Sequence, residues 1–178
     1  MKVLLAVNTL TSINDQIYAA HMNLAYRIGR ETQDEFLLFT GRRVSIDRFR
    51  NQAAEYALRH DCDYLMFLDD DVAIPRDTYT ILKSLDLDIV TPLVYIRGYP
   101  FKPMFFKSIE LGNETGLTTY DDWEQVQADR LQEYENFKTL DPNGALAFNP
   151  HLLEVAAIGF SCCLIKTSVL REVPPHGL

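Results

Sequence analysis

Three consecutive aspartates, Asp69, Asp70 and Asp71, end the apolar run Tyr64–Leu68 in the stretch YLMFLDDDVAIP, and Pro75 follows shortly after. Carboxylates packed side by side repel one another unless a positive charge stands among them. On an extended backbone Asp69 and Asp71 leave the chain on the same side, with Asp70 pointing the other way. Two hard oxygen ligands on one side suit a divalent cation such as Mn2+ or Mg2+, with coordination positions left for substrate phosphates. A metal held there neutralises a diphosphate and stabilises charge developing on a leaving group. The plainer reading is a strand end running into an acidic, solvated loop. Three aspartates in a row, directly after an apolar strand and before a proline, favour the metal site.

The elements that must position these residues alternate in type. Val3–Val7 reads as a first strand, and Ser12 with Asp15 is spaced like a helix N-cap and its acidic third position. Ile17, Ala20, Leu24 and Ile28 then recur at helical spacing. Phe36–Phe39 reads as a second strand ended by Gly41, and Ser45 opens a second helix with the apolar stripe Ile46, Phe49, Ala53 and Ala57. Tyr64–Leu68 is the third strand, Pro75 opens a third helix, and Asp88–Tyr95 reads as a fourth strand. Strands alternating with helices predict an α/β fold with a mostly parallel sheet covered on both faces. Ligands of such sheets bind at the carboxyl ends of the strands, which is where the aspartates fall.

Past Tyr95 the pattern changes. RGYPFKPMFFKS is expected to be irregular or an antiparallel edge, and an acidic insertion over roughly 107–151 precedes the last strand. Between Glu110 and Asp141 nine acidic and two basic residues give −7 of the chain's net −8, so the remainder is nearly neutral. No basic face signals nucleic acid. A short helix around Trp123–Phe137 and a turn at DPNG are expected within the insertion. From Leu153 core character resumes, with a long strand through Gly159 to Ile165 and a short helix from Thr167. The apolar start Val3–Val7 is too short for a signal-peptide core or a membrane span. The sparse cysteines Cys62, Cys162 and Cys163 lack metal-site spacing, which predicts reduced thiols and a cytoplasmic protein.

YLMFLDDDVAIPRD resembles the DxD element of GT-A fold glycosyltransferases, especially the family-2-like inverting enzymes. The pair Arg50-Asn51 in DRFRNQAAEYAL, ahead of the DxD strand, and the later run VAAIGFSCCLIKTSVLREV are similar to further parts of that family. The resemblance covers Met1–Tyr95 and Leu153–Val173 and implies a single GT-A, Rossmann-like domain over 1–178. It implies a metal-dependent, hexosyltransferase-type, inverting enzyme that takes a nucleotide-diphosphate sugar as donor and an unidentified acceptor. Asp71 would be the direct ligand of the metal, and Asp69 would face the nucleotide ribose or help hold the metal. Asp70 would be structural or lend support to the nucleotide site. Asn8 and Thr9 would help form the nucleotide pocket. Arg48, Arg50 and Asn51 would lie near the nucleotide or phosphates, where a guanidinium engages oxygens bidentately. Gly159 would either allow close approach of acceptor or sugar, or relieve crowding within its strand.

The chain departs from the family at its end. Family members continue into an acidic pair that supplies the catalytic base and a later histidine that completes the metal site. This chain stops at Leu178, so it is expected to be C-terminally incomplete, and no catalytic base is assigned. Strand edges left exposed by a missing segment would promote association into a homo-oligomer. His21 and His60 read as ordinary helix residues, and Trp123, Tyr120 and Tyr134 as anchors of the insertion in preference to a sugar-stacking surface. Two other functions fit the motif. FLDDDV also resembles the first motif of haloacid-dehalogenase-type phosphatases, in which Asp69 would be the nucleophile and Asp71 the acid/base. A nucleotide-sugar-binding domain without turnover is the other.

Overall fold

Residues Val3–Asn8 are all buried along β1 (Lys2–Thr9), as a strand covered on both faces must be. It pairs in parallel with β2 (Glu35–Arg42) on one side and β3 (Tyr64–Asp69) on the other. Beyond β3 come β8 (Cys162–Lys166) and then β4 (Ile89–Val90), giving the sheet order β2-β1-β3-β8-β4. Both pairings of β8 are antiparallel, so four strands run one way and β8 alone opposes them. The sheet is mostly parallel, as the sequence pattern predicts. The computed structural model describes residues 1–9, 11–96, 99, 101–110, 116–119, 123–140 and 151–172.

Alternation along the strands builds two apolar layers. Val3, Leu5, Val7, Met66, Leu68 and Leu164 form one core with Leu24 and Ile28 of α1 (Asp15–Glu31) and Tyr79 and Leu82 of α3 (Thr78–Ser84). On the opposite face Leu4, Ala6, Leu65 and Phe67 are buried, and α2 (Ile46–Arg59) packs there through Phe49, Ala53 and Ala57. The short helix α5 (Thr167–Glu172) packs beside α2.

Several local expectations need correction. The cap of α1 is Asn14, whose side chain accepts from the Gln16 N–H, and not Ser12. Strand β2 continues through Gly41 to Arg42. Helix α3 starts at Thr78, because Thr78 turns its N–H and hydroxyl back onto the Pro75 carbonyl. The fourth strand shrinks to Ile89–Val90, with Pro92 unable to extend a ladder. The long last strand is two: β7 (Ala157–Ile158) lies in a different sheet from β8, and Gly159–Ser161 separates them.

The chain divides into two units, Met1–Pro92 with Phe160–Leu178, and Leu93–Gly159. In the second, β5 (Phe105–Glu110), β6 (Gly116–Thr119) and β7 form an antiparallel sheet of order β6-β5-β7, accompanied by α4 (Trp123–Leu140). The Trp123 ring meets Phe105 edge-on at 4.9 Å, a contact within this second unit. The DPNG turn, Tyr120 and the side chain of Tyr134 lie outside the described residues. Cys62, Cys162 and Cys163 are buried free thiols, and burial pushes the latter two up to about 12, far from thiolate reactivity. Among the described residues no helix is long and apolar enough to cross a membrane.

Asp34, buried just ahead of β2, accepts hydrogen bonds from the Tyr79 hydroxyl at 2.8 Å and the Lys83 ammonium at 2.5 Å. Burial alone would push its carboxyl up, but these bonds outweigh it and hold the group below the usual carboxylate range. Its stabilisation is therefore full above the unfolded-state pKa and fades as pH falls through the lower folded value. Asp34→Ala should cost about 3 kcal/mol at neutral pH. Urea denaturation of both proteins between neutral and strongly acid pH should show this gap closing in acid; a constant gap would contradict the assignment.

Candidate functional site

Register brings the carboxyl ends of three strands level. Asn8 of β1 stands opposite Gly41 of β2 on one side and Asp69 of β3 on the other. Asp69 is the first residue of β3 to emerge from full burial. The chain then turns, with the Val72 N–H donating to the Asp69 carbonyl at 3.4 Å. Asp70 and Asp71 thus lie in a turn, and the strand alternation expected to align Asp69 with Asp71 does not apply. The turn still keeps them close, since the Asp71 charge bears on Asp69. From α1 the His21 Nε2–H donates to the Val72 carbonyl at 3.1 Å and pins the turn from behind. Burial lowers the His21 pKa, opposed by that bond and by the charge of Asp70.

Asp69 carries the strongest conflict at this edge. Burial raises its pKa, and Asp71 and Asp70 raise it further, while Arg50 and a hydrogen bond from Ser161 work against them. The Asp69 N–H also donates to the Ser161 carbonyl at 2.8 Å. Arg50, half-buried on α2, is held with its guanidinium carbon 4.8 Å from the Phe160 ring centroid and 5.9 Å from that of Phe67. Such cation–π contacts fix the cation beside the carboxylate it serves. Asn8 is buried; its Nδ2 donates to the Val44 carbonyl at 3.1 Å, and its Oδ1 has no hydrogen-bond partner among the described residues. Gly41 makes room for this packing, since a Cβ there would fall 2.4 Å from the Phe49 ring and 2.9 Å from Asn8 Oδ1.

Other expected residues separate from this group. Arg48 and Asn51 are exposed on α2. They sit roughly 200° and 100° around the helix from Arg50, so the three cannot all face one ligand. Thr9 is half-buried opposite Arg42, and its carbonyl accepts the Arg43 N–H at 3.0 Å. Gly159 belongs to the second unit, where a Cβ would lie 2.1 Å from Met104 Sδ, an observation that favours relief of crowding. Among the described residues no three His, Cys, Asp or Glu side chains are grouped to hold a metal ion. A cavity of about 670 Å³ lined by Cys62, Tyr64, Lys166 and Arg171 lies at the opposite end of the sheet, a full length of β3 from the aspartates.

Sequence reasoning took His21 for an ordinary helix residue and Gly41 for a strand end, and did not single out Phe160 or Ser161. His21 had a signal, since it falls between Ile17 and Leu24 on the buried stripe of α1. Phe160 and Ser161 had none, because only the antiparallel insertion of β8 beside β3 brings them to Asp69.

The first unit is a mixed α/β layer structure with a Rossmann-like, mostly parallel five-stranded sheet. The chain's fold is similar to that in the crystal structure of A197 from STIV, with a TM-score of 0.50 and 14% identity over 98% of this chain and 70% of that one. No protein-family model and no curated protein matches the sequence.

Two substitutions test the geometry. Arg50→Gln should raise the Asp69 pKa further, because it removes the largest opposing influence. A carboxyl-detected NMR titration showing Asp69 unmoved would contradict the pairing. Gly41→Ala should destabilise the fold by about 1–3 kcal/mol through overpacking, read by denaturation.

Proposed function

We infer that this chain is a metal-dependent glycosyltransferase of the GT-A type, moving a sugar from a nucleotide-diphosphate donor to an acceptor nucleophile. The observation that carries this reading is Asp69, a half-buried carboxylate at the carboxyl edge of the sheet whose ionisation burial and two neighbouring aspartates oppose. A divalent cation on Asp69 and Asp71 would remove that conflict. Two carboxylates, with no group of three potential ligands among the described residues, fit a Mn2+ or Mg2+ ion that completes its shell with water and phosphate oxygens. When bound, the cation supplies charge neutralisation for the donor diphosphate and the departing nucleoside diphosphate.

The chain's own residues contribute the rest. Arg50 keeps a fixed positive charge beside Asp69 and can turn donors toward phosphate oxygens. Asn8 is buried behind this edge, where its Nδ2 bond to the Val44 carbonyl braces the loop after β2. Ser161 holds Asp69 from the β8 side, and His21 fixes the turn that carries Asp70 and Asp71. Cation binding requires Asp69 to be ionised, so affinity should fall as pH drops through its raised pKa.

Calorimetric titration of UDP, GDP, CDP, ADP and TDP, with Mn2+ and with chelator, tests this reading. One diphosphate should bind only with Mn2+, and Asp71→Ala should weaken that binding about 100-fold or more. Binding indifferent to chelator and to Asp71→Ala would contradict the metal site, and a phosphoryl group trapped on Asp69 would favour the phosphatase chemistry.

A further inference from the structure

The outer edge of β2 ends the sheet, and among the described residues no strand pairs with it. The Glu35 N–H donates to Met1 and the Arg43 N–H to Thr9, so odd-numbered residues of β2 bond inward to β1. The backbone groups of Phe36, Leu38, Thr40 and Arg42 therefore face outward. An edge of eight residues carrying the apolar run Phe36–Phe39 between charged ends is long enough to template another strand.

An apolar helix flank lies over the same edge. Leu38 pairs in register with Leu5, so its side chain is on the α1 face of the sheet, yet it is 59% exposed. Gly29 shows which flank of α1 faces β2, because a Cβ there would sit 3.2 Å from the Phe36 ring. The opposite flank faces α3, through the ion pair of Arg27 with Asp77. Tyr18 and Met22 lie within roughly 20° of Gly29 around the helix, and Tyr26 roughly 60° away. These three are 54%, 50% and 61% exposed, one helical turn apart. Leu38 is two strand residues on from Phe36, about 7 Å, which corresponds to between four and five residues back along the antiparallel helix and places it beside Met22 and Tyr26.

We propose that this edge is the interface of a homodimer in which β2 pairs antiparallel with β2 of a second copy, across a two-fold axis near Leu38. Charge selects a second copy in that orientation. Exposed Glu35 opens β2 and exposed Arg43 follows just past its end, so antiparallel self-pairing brings acid near base at both ends, whereas Arg42 leaves the strand on the face opposite to Glu35. The Glu35 carboxylate, largely exposed, lies 3.5 Å from the Lys2 ammonium. The two-fold stands perpendicular to the sheet, keeps both α1 helices on one face and turns their Tyr18–Met22–Tyr26 flanks toward each other. Strand and helix surfaces are thus both self-complementary about one axis, joining two sheets of five strands into one of ten.

Sedimentation equilibrium of the full chain tests this. The wild type should be dimeric, and Leu38→Lys and Tyr26→Glu should each raise the dissociation constant about a hundredfold by burying charge in the interface. Both positions are exposed, so neither substitution should disturb the monomer fold. In a second arm, Leu38→Cys should be joined to itself by a short thiol cross-linker, whereas Ile81→Cys, exposed elsewhere on the protein, should not. A wild type that stays monomeric at about 100 µM, too dilute only for millimolar affinities, overturns the proposal. So does a dimer with an unchanged constant in Leu38→Lys, since it must use another face or partner strand.

Discussion

A carboxylate at the end of a buried strand has to be balanced, and much of the first unit serves that balance. Asp69 leaves β3 where burial still opposes its charge, with two more aspartates immediately behind it. Arg50 offsets the conflict, and Arg50 stays in place because Phe67 and Phe160 clasp its guanidinium. Phe160 and Ser161 reach the site because β8 enters the sheet antiparallel beside β3. On the other side of β3 the same edge holds Asn8, whose packing depends on the missing side chain at Gly41. Position in the sheet, helix placement and the choice of glycine all converge on one charged group.

The balance is local and incomplete in a way that suits a ligand. Arg50 and Ser161 moderate the Asp69 carboxyl without bringing it back to its ordinary range. A cation arriving with a diphosphate would add positive charge on the carboxylate side and accept the negative charge of the phosphates on the other. The turn that presents Asp70 and Asp71 is held by a neutral-leaning His21, a rigid support that adds no competing positive charge in front of the site. On this account the apo edge is strained electrostatically so that the loaded edge is relaxed.

The repeating parts of the fold were legible because they follow from local periodicity. The apolar alternation of β1 and β3, the Phe49–Ala53–Ala57 stripe of α2 and the carboxyl-end position of the aspartates all match the sequence pattern. What escaped depends on contacts far apart in sequence. A glycine inside an apolar run looks the same whether its strand continues or breaks, and Gly159 marks a break into two sheets. The pairing of β8 with β3 joins residues about a hundred positions apart and has no local signature. The aspartate triplet was read as extended, but a turn stabilised by Val72 bends it after its first member. Of the polar candidates on α2, helix geometry leaves Arg50 at Asp69 and turns Arg48 and Asn51 elsewhere.

The central claim is that Asp69 and Asp71 hold a divalent cation against a nucleoside diphosphate. The most direct measurement is an anomalous difference map at the manganese edge, from crystals grown with Mn2+ and the diphosphate that binds. The account predicts one strong peak within coordination distance of both carboxylates, about 2.0–2.2 Å, bridging to phosphate oxygens. A peak at other residues, or a diphosphate seated without any metal at Asp69 and Asp71, would contradict it.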